Sequence, residues 1–311
     1  MAPTALPVSG PVLADGAIET RLIYEFRLPT PDFAAFVHLF TPEGRAALEA
    51  IYRGYMSVAA ESGLAMQVGT PTWRAHPEGL ARQGFDAPED LARVNGAAFD
   101  LLSGLRRELA LEASVRIAGV IGPRRDGYDP AGAPDAAEAA RYHAAQAQVL
   151  ADLGVDLLYA PTFASAGELE GVARAAAATG RPYALAPVVD AAGVMPDGTP
   201  LAAAVAHIDA SVAPRPLHFL LGCVHPARVD AVAQAGAMPP NARIAGVKAN
   251  AADLAAAELD HLDHLVSDPP EDFARAMVSL RGHGLRLFGG CCGTSDAHIR
   301  ALARHLKAEA A

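Results

Sequence analysis

The sequence predicts a single (β/α)8 TIM barrel, on three observations. Eight short apolar runs carry Gly, Pro, Asn or Thr at or beside their ends, alanine-rich amphipathic stretches lie between them, and no GxGxxG or GxxxxGK[ST] fingerprint follows any run. Strands apolar on both faces and separated by helices form parallel sheets, because the crossover helices cover both sides. Eight such units in 311 residues fit a closed barrel better than an open doubly wound sheet.

In order, the first run is Pro11 to Asp15, and the second, Ala65 to Thr70, follows the amphipathic stretch Thr41 to Ser62. Pro88 to Glu112 is the helix leading to the third run, Val115 to Gly122. Pro134 to Leu153 stops at Gly154 before the fourth, Val155 to Thr162, and Ala166 to Thr179 stops at Gly180 before the fifth, Tyr183 to Val188. Leu217 to Cys223, Arg243 to Asn250 and Leu285 to Cys291 complete the series. Tyr24 to Phe40 and the acidic Leu259 to Pro270 read as insertions around the barrel. The Pro/Gly-rich pieces at Arg124 to Pro134, Ala191 to Pro200 and Met238 to Asn241 are short enough to be loops, so residues 1–311 are expected to be one domain.

Composition narrows the function. The chain is 51% hydrophobic and 19% charged, with a formal net charge of -10, which leaves no electrostatic footprint for nucleic acid. No apolar stretch is long and uninterrupted enough to cross a membrane, and the first residues have neither a basic nor a sustained apolar region, so no leader is expected. Three cysteines are too few and too odd for a disulfide framework. The expected location is the reducing cytoplasm. The sequence does not set the oligomeric state, and a homo-oligomer is allowed.

In a parallel barrel the active site is built at the C-terminal ends of the strands. The residues predicted there include Asp15, Thr70 to Trp73, Gly122, Pro161, Thr162, Cys223, Lys248 to Asn250, Cys291 and Cys292. All three cysteines therefore fall on one rim. Cys291 and Cys292 follow Gly289 and Gly290, and two adjacent side chains can serve one site only where the strand ends or bulges, a backbone glycine permits. Three thiolates converging from two strands make a tetrahedral Zn2+ site with one position open, the arrangement of a catalytic zinc. The alternatives are inert core cysteines or a vicinal disulfide.

The segment Phe288-Gly-Gly-Cys-Cys-Gly-Thr-Ser-Asp-Ala-His-Ile-Arg300 resembles the terminal signature of the zinc-dependent homocysteine S-methyltransferases, which include betaine-homocysteine methyltransferase. Ala14-Asp-Gly-Ala-Ile-Glu-Thr-Arg-Leu22, Thr70-Pro-Thr-Trp-Arg-Ala75, Ile117 to Pro123, Asp197 to Leu201 and Gly222-Cys-Val-His-Pro226 are similar to further family motifs in the same order. The resemblance implies a (β/α)8 barrel with zinc on Cys223, Cys291 and Cys292, a small-molecule thiol acceptor such as homocysteine, a sulfonium or quaternary ammonium methyl donor, and a place in methionine biosynthesis. It also implies a substrate contact at Asp15, and Glu19, a helical turn further on, is a second candidate contact. At one position the chain departs from the pattern. Pro161 stands where the family carries a glutamate that binds the amino group of homocysteine, so homocysteine is expected to bind weakly and a thiol without that group, or with it elsewhere, to be preferred, unless Asp15 or Glu19 supplies the charge.

Other readings attach to single residues. Asp15 could instead cap a turn. Trp73, the only tryptophan, could stack on a cationic donor or simply pack, and Thr162 lies at the tip of the fourth run. Lys248 at a strand end could form a Schiff base in an aldolase or lyase. A non-catalytic zinc or thiol sensor on a barrel scaffold is a third class. His261 and His264 have metal-ligand spacing within an acidic stretch that reads better as a solvated helix face. No GxSxG elbow is present.

Overall fold

The computed structural model describes residues 10–254 and 265–308. Within them each predicted run yields a strand: β1 (Val12–Ala14), β2 (Met66–Gly69), β3 (Val115–Val120), β4 (Leu157–Phe163), β5 (Tyr183–Pro187), β6 (His218–Val224), β7 (Ile244–Ala249) and β8 (Leu287–Gly290). They form a closed parallel barrel in chain order. The last strand closes on the first, with Val12 opposite Leu287 and Leu13 opposite Phe288.

Most ladders are shorter than the apolar runs. β4 and β6 instead continue one residue further, to Phe163 and Val224, each through a register shift at its C-terminal end. The two residues at those shifts, Thr162 and Cys223, take φ of 65° and 53°. Left-handed backbone is costly for a side chain with a Cβ and most so for a β-branched one. Bulges of this kind turn a side chain away from the strand's regular alternation.

The covering helices are α1 (Glu19–Tyr24), α2 (Pro42–Ser62), α3 (Pro77–Arg82), α4 (Asp90–Glu108), α5 (Ala136–Leu153), α6 (Ala166–Ala178), α7 (Leu201–Ser211), α8 (Pro226–Gln234), α9 (Pro270–Ser279) and α10 (Asp296–Ala308). Their ends follow capping chemistry. Thr41 accepts from the Gly44 N–H ahead of a first-turn proline, and Asp135 and Ser165 accept from Glu138 and Glu168. Gly154 closes α5 at φ 87°.

Two apolar layers result. The outer one packs helices on the barrel and contains Leu48, Ile51, Phe163, Val172, Phe219 and Phe288. The inner one fills the barrel with Val12, Leu157, Leu220 and Leu287, but also with the small Ala14, Ala118, Ala184 and Ala186. Above this layer the strand ends carry Gly69, Gly222 and Gly290, which line an open pocket at the barrel mouth. The predicted insertion at Tyr24 to Phe40 is two 3-10 turns, Pro31–Phe33 and Ala35–Phe40, which bury Phe36 and Leu39 and bring Phe33 to the pocket. The second insertion is described only from residue 265 onward, and His261 and His264 lie outside the described residues. No described helix is long and apolar enough to cross a membrane.

Candidate active site

The pocket opens at the C-terminal rim of the barrel and is lined by Asp15, Glu19, Trp73, Thr162 and Lys248 together with all three cysteines. Cys223 arrives on the β6 bulge, while Cys291 and Cys292 follow the end of β8, and all are half-buried. The expected convergence from two strands is thus the observed placement. The Cys223 and Cys291 Sγ atoms are 2.7 Å apart, and Thr162 Oγ1 is 3.4 Å from Cys223 Sγ.

Several hydrogen bonds fix the backbone that carries these sulfurs. The Asn250 side chain donates to the Cys223 carbonyl at 3.0 Å and accepts from the Cys292 N–H at 3.2 Å. Thr294 Oγ1 donates to the Cys291 carbonyl and accepts from the Ala17 N–H, tying the end of β8 to the loop after β1. The double glycine serves close packing. A Cβ at Gly289 would meet Ala14 Cβ at 2.6 Å, and one at Gly290 would meet Thr294 Oγ1 at 2.1 Å.

The three thiols share charge. Hydrogen bonds from Cys291 and then Cys292 hold the Cys223 thiol well below the usual thiol range, although burial opposes this. The hydrogen bond with Cys223 pushes both Cys291 and Cys292 well above that range in turn. Among the described residues no three His, Cys, Asp or Glu side chains meet the spacing of a metal group. The sulfur pair is too close for one, since metal–sulfur bonds of about 2.3 Å put tetrahedral ligands about 3.8 Å apart. The donor chemistry fits zinc, and the cluster would have to spread by about 1 Å to hold it.

Asp15 is 2% exposed. Its Oδ2 accepts from the Gly69 N–H at 2.7 Å, and its Oδ1 is in ion-pair contact with Lys248 Nζ. Burial alone would lower the Lys248 pKa, but Asp15 and the nearby Cys291 and Cys223 more than offset it, leaving the amine above its ordinary value. A Schiff-base lysine needs the opposite shift, so the aldolase reading finds no support. Glu19 sits at the start of α1 and burial raises its carboxyl to about 7, against the pull of its own backbone N–H and of Lys248.

Trp73 Nε1 donates to the Pro161 carbonyl at 3.2 Å, and the Arg74 guanidinium carbon lies 4.0 Å from the centroid of its ring. One ring face is thereby occupied by a cation of the chain itself, which restricts stacking by a cationic donor to the other.

Sequence reasoning missed Tyr128, which lines the pocket beside the cysteines; burial first and the cysteine charges next raise its phenol well above the ordinary value. It also missed Tyr159, a buried pocket residue whose hydroxyl has no hydrogen-bond partner among the described residues. Tyr159 was legible as an interior strand residue two before Pro161. Tyr128 was not, because its loop turns inward only through contacts distant in sequence. A Cβ at Gly127 would meet Thr162 Cγ2 at 2.8 Å, and one at Gly122 the Trp73 carbonyl at 2.2 Å.

A protein-family model described as homocysteine S-methyltransferase matches residues 12–306. No curated protein sequence matches. Among solved structures, the metallated form of the homocysteine methyltransferase MmuM from Escherichia coli superposes with a TM-score of 0.75 at 23% identity, covering 96% of this chain and 97% of that one. The oxidized form of the same enzyme gives 0.76 at 23% with the same coverage, and the apo form 0.66 at 21%, covering 96% of each chain. At such identity the likeness speaks for the fold.

Proposed function

The chain belongs to the homocysteine S-methyltransferase family, and from that premise we propose that this methyltransferase is zinc-dependent and moves a methyl group from a sulfonium or quaternary ammonium donor to the thiol of homocysteine or a close analogue. The observation that carries the reading is the meeting of Cys223, Cys291 and Cys292 in one pocket at the barrel mouth. Zinc on these sulfurs would supply the positive charge that favours a thiolate over a thiol at neutral pH.

The chain's own residues account for the rest. In the reaction the acceptor sulfur forms a bond to the donor methyl carbon while that carbon's bond to the onium sulfur or nitrogen breaks. The bonding pair leaves with the neutral thioether or amine, and the thiol proton goes to solvent. In-line geometry is needed, and rigid walls supply it. Thr162 hydrogen-bonds the Cys223 sulfur and orients it, and Tyr128 lines the pocket beside it. Trp73 and Pro161 form an uncharged part of the lining, and the Pro161 carbonyl is bonded to the Trp73 indole. Asp15 and Glu19 both place carboxyl groups in the pocket lining. Three free thiols suit a reducing compartment such as the cytoplasm, and methionine formation is the use this chemistry would serve with homocysteine as acceptor.

The test is metal content together with methyl transfer. Wild-type protein is expected to bind one zinc per chain and to methylate homocysteine, and Cys291→Ala with Cys292→Ala is expected to abolish both while the far-ultraviolet circular dichroism stays that of the barrel. Stoichiometric zinc retained by the double variant would sink the assignment. Zinc binding without turnover across a panel of onium donors would favour the sensor instead.

A further inference from the structure

A pocket that receives an amino-acid thiol has to meet an ammonium group with negative charge. Three carboxylates line this pocket: Asp15, Glu19 and Asp126. Asp126 is exposed, and its Oδ1 accepts from the Tyr128 and Asp129 N–H groups within its own loop. Asp15 is more deeply placed, and each of its oxygens is already bonded, one to the Gly69 N–H and the other to Lys248. The chain has two lysines, Lys248 and Lys307, and one of them lies here. Lys248 stands opposite Gly289 in the β7–β8 ladder, and with no side chain at 289 its stem can cross β8 to reach β1. Asp15 therefore already holds an ammonium, that of the protein.

Glu19 differs from both. It lines the same pocket, and among the described residues its carboxylate meets no cation in an ion pair and no donor beyond its own backbone N–H. A desolvated carboxylate without a cation is unfavourable alone and becomes favourable when a cation arrives. On the opposite wall the carbonyl of Pro161 is bonded to Trp73 and its ring carries no charge.

Building on the transferase reading, we propose that Glu19, and not Asp15, receives the α-ammonium group of the acceptor and selects amino-acid thiols over thiols lacking that group. Asp15 and Lys248 form an internally neutral pair that supports the floor of the pocket without reading the substrate.

Binding of the methylated product tests this without zinc or a methyl donor. Methionine and 4-(methylthio)butanoate share one skeleton and differ in the α-ammonium, and both can be titrated calorimetrically into the full chain. Wild type is expected to bind methionine at least about tenfold more tightly. Glu19→Gln should lose that preference by weakening methionine alone, Glu19→Asp should restore part of it, and Asp15→Asn should alter both affinities alike. Equal weakening of both ligands by Glu19→Gln, no effect on either, tighter wild-type binding of the des-amino compound, or no binding of either compound would overturn the assignment. Failure of the transferase reading would register separately, as absence of methyl transfer.

Discussion

Asp15 and Lys248 sit 233 positions apart in the chain and form the most buried ion pair in the pocket. Removing one partner of such a pair leaves the other charge uncompensated in a poor solvent. Lys248→Met is therefore expected to cost about 3 to 5 kcal/mol of unfolding free energy, and the double variant with Asp15→Asn to recover much of that loss. Urea denaturation of the four proteins measures both. Additive effects of the two substitutions would show that the pair is not coupled. The pair also marks where sequence reading stops. Asp15 and Lys248 were each legible as rim residues because each ends an apolar run, but their contact depends on the register of β7 against β8 and of β8 against β1. Trp73 shows the same limit, since the neighbour in sequence that covers its ring, Arg74, was read only as part of a motif.

Among the elements, α5 and α6 show how small residues set a packing distance. A Cβ at Gly171 of α6 would meet Ala139 Cβ at 2.3 Å and the Ala136 carbonyl at 2.7 Å, both on α5. Backbone cannot yield as a flexible side chain can, so Gly171→Val is expected to destabilise by about 2 to 3 kcal/mol, read as a lower midpoint in thermal melts. A midpoint equal to wild type would mean the helices can separate freely. Strands and helices at this scale were largely legible, because apolar runs and caps act locally: Thr41, Asp135 and Gly154 end their helices for reasons within a few residues. The bulges in β4 and β6 were not. Nothing in Pro161-Thr-Phe163 or Gly222-Cys-Val224 announces that the middle residue takes positive φ, since neither is a glycine. The cysteine cluster could be foreseen because it needs only strand ends, whereas the inward reach of Tyr128 needs a loop conformation set by Trp73 and Thr162.

For the whole molecule, acid sensitivity follows from imidazoles stored neutral. Burial lowers His218 to about 4, and also lowers His38, His76 and His298. Each such group contributes stability above the ordinary histidine pKa of about 6.5 that is lost as pH falls, because the unfolded chain takes up protons the folded chain refuses. Unfolding free energy is expected to fall between about pH 6.5 and 4, with His218 alone contributing up to about 3 kcal/mol. His218→Gln should flatten that decline in urea titrations at successive pH values, and an unchanged slope would exclude His218 as a source. The closed ring has a consequence in time as well as in space. Because β8 pairs with β1, and Thr294 and Gly293 bond to Ala17 and Thr20, the first and last strands of the barrel share one seam. A ribosome delivers the loop after β1 long before Cys291 and Cys292, so the first strand waits for its second neighbour until the rest of the barrel has been made. The thiol cluster is therefore assembled last, in a chain whose other strands are already made.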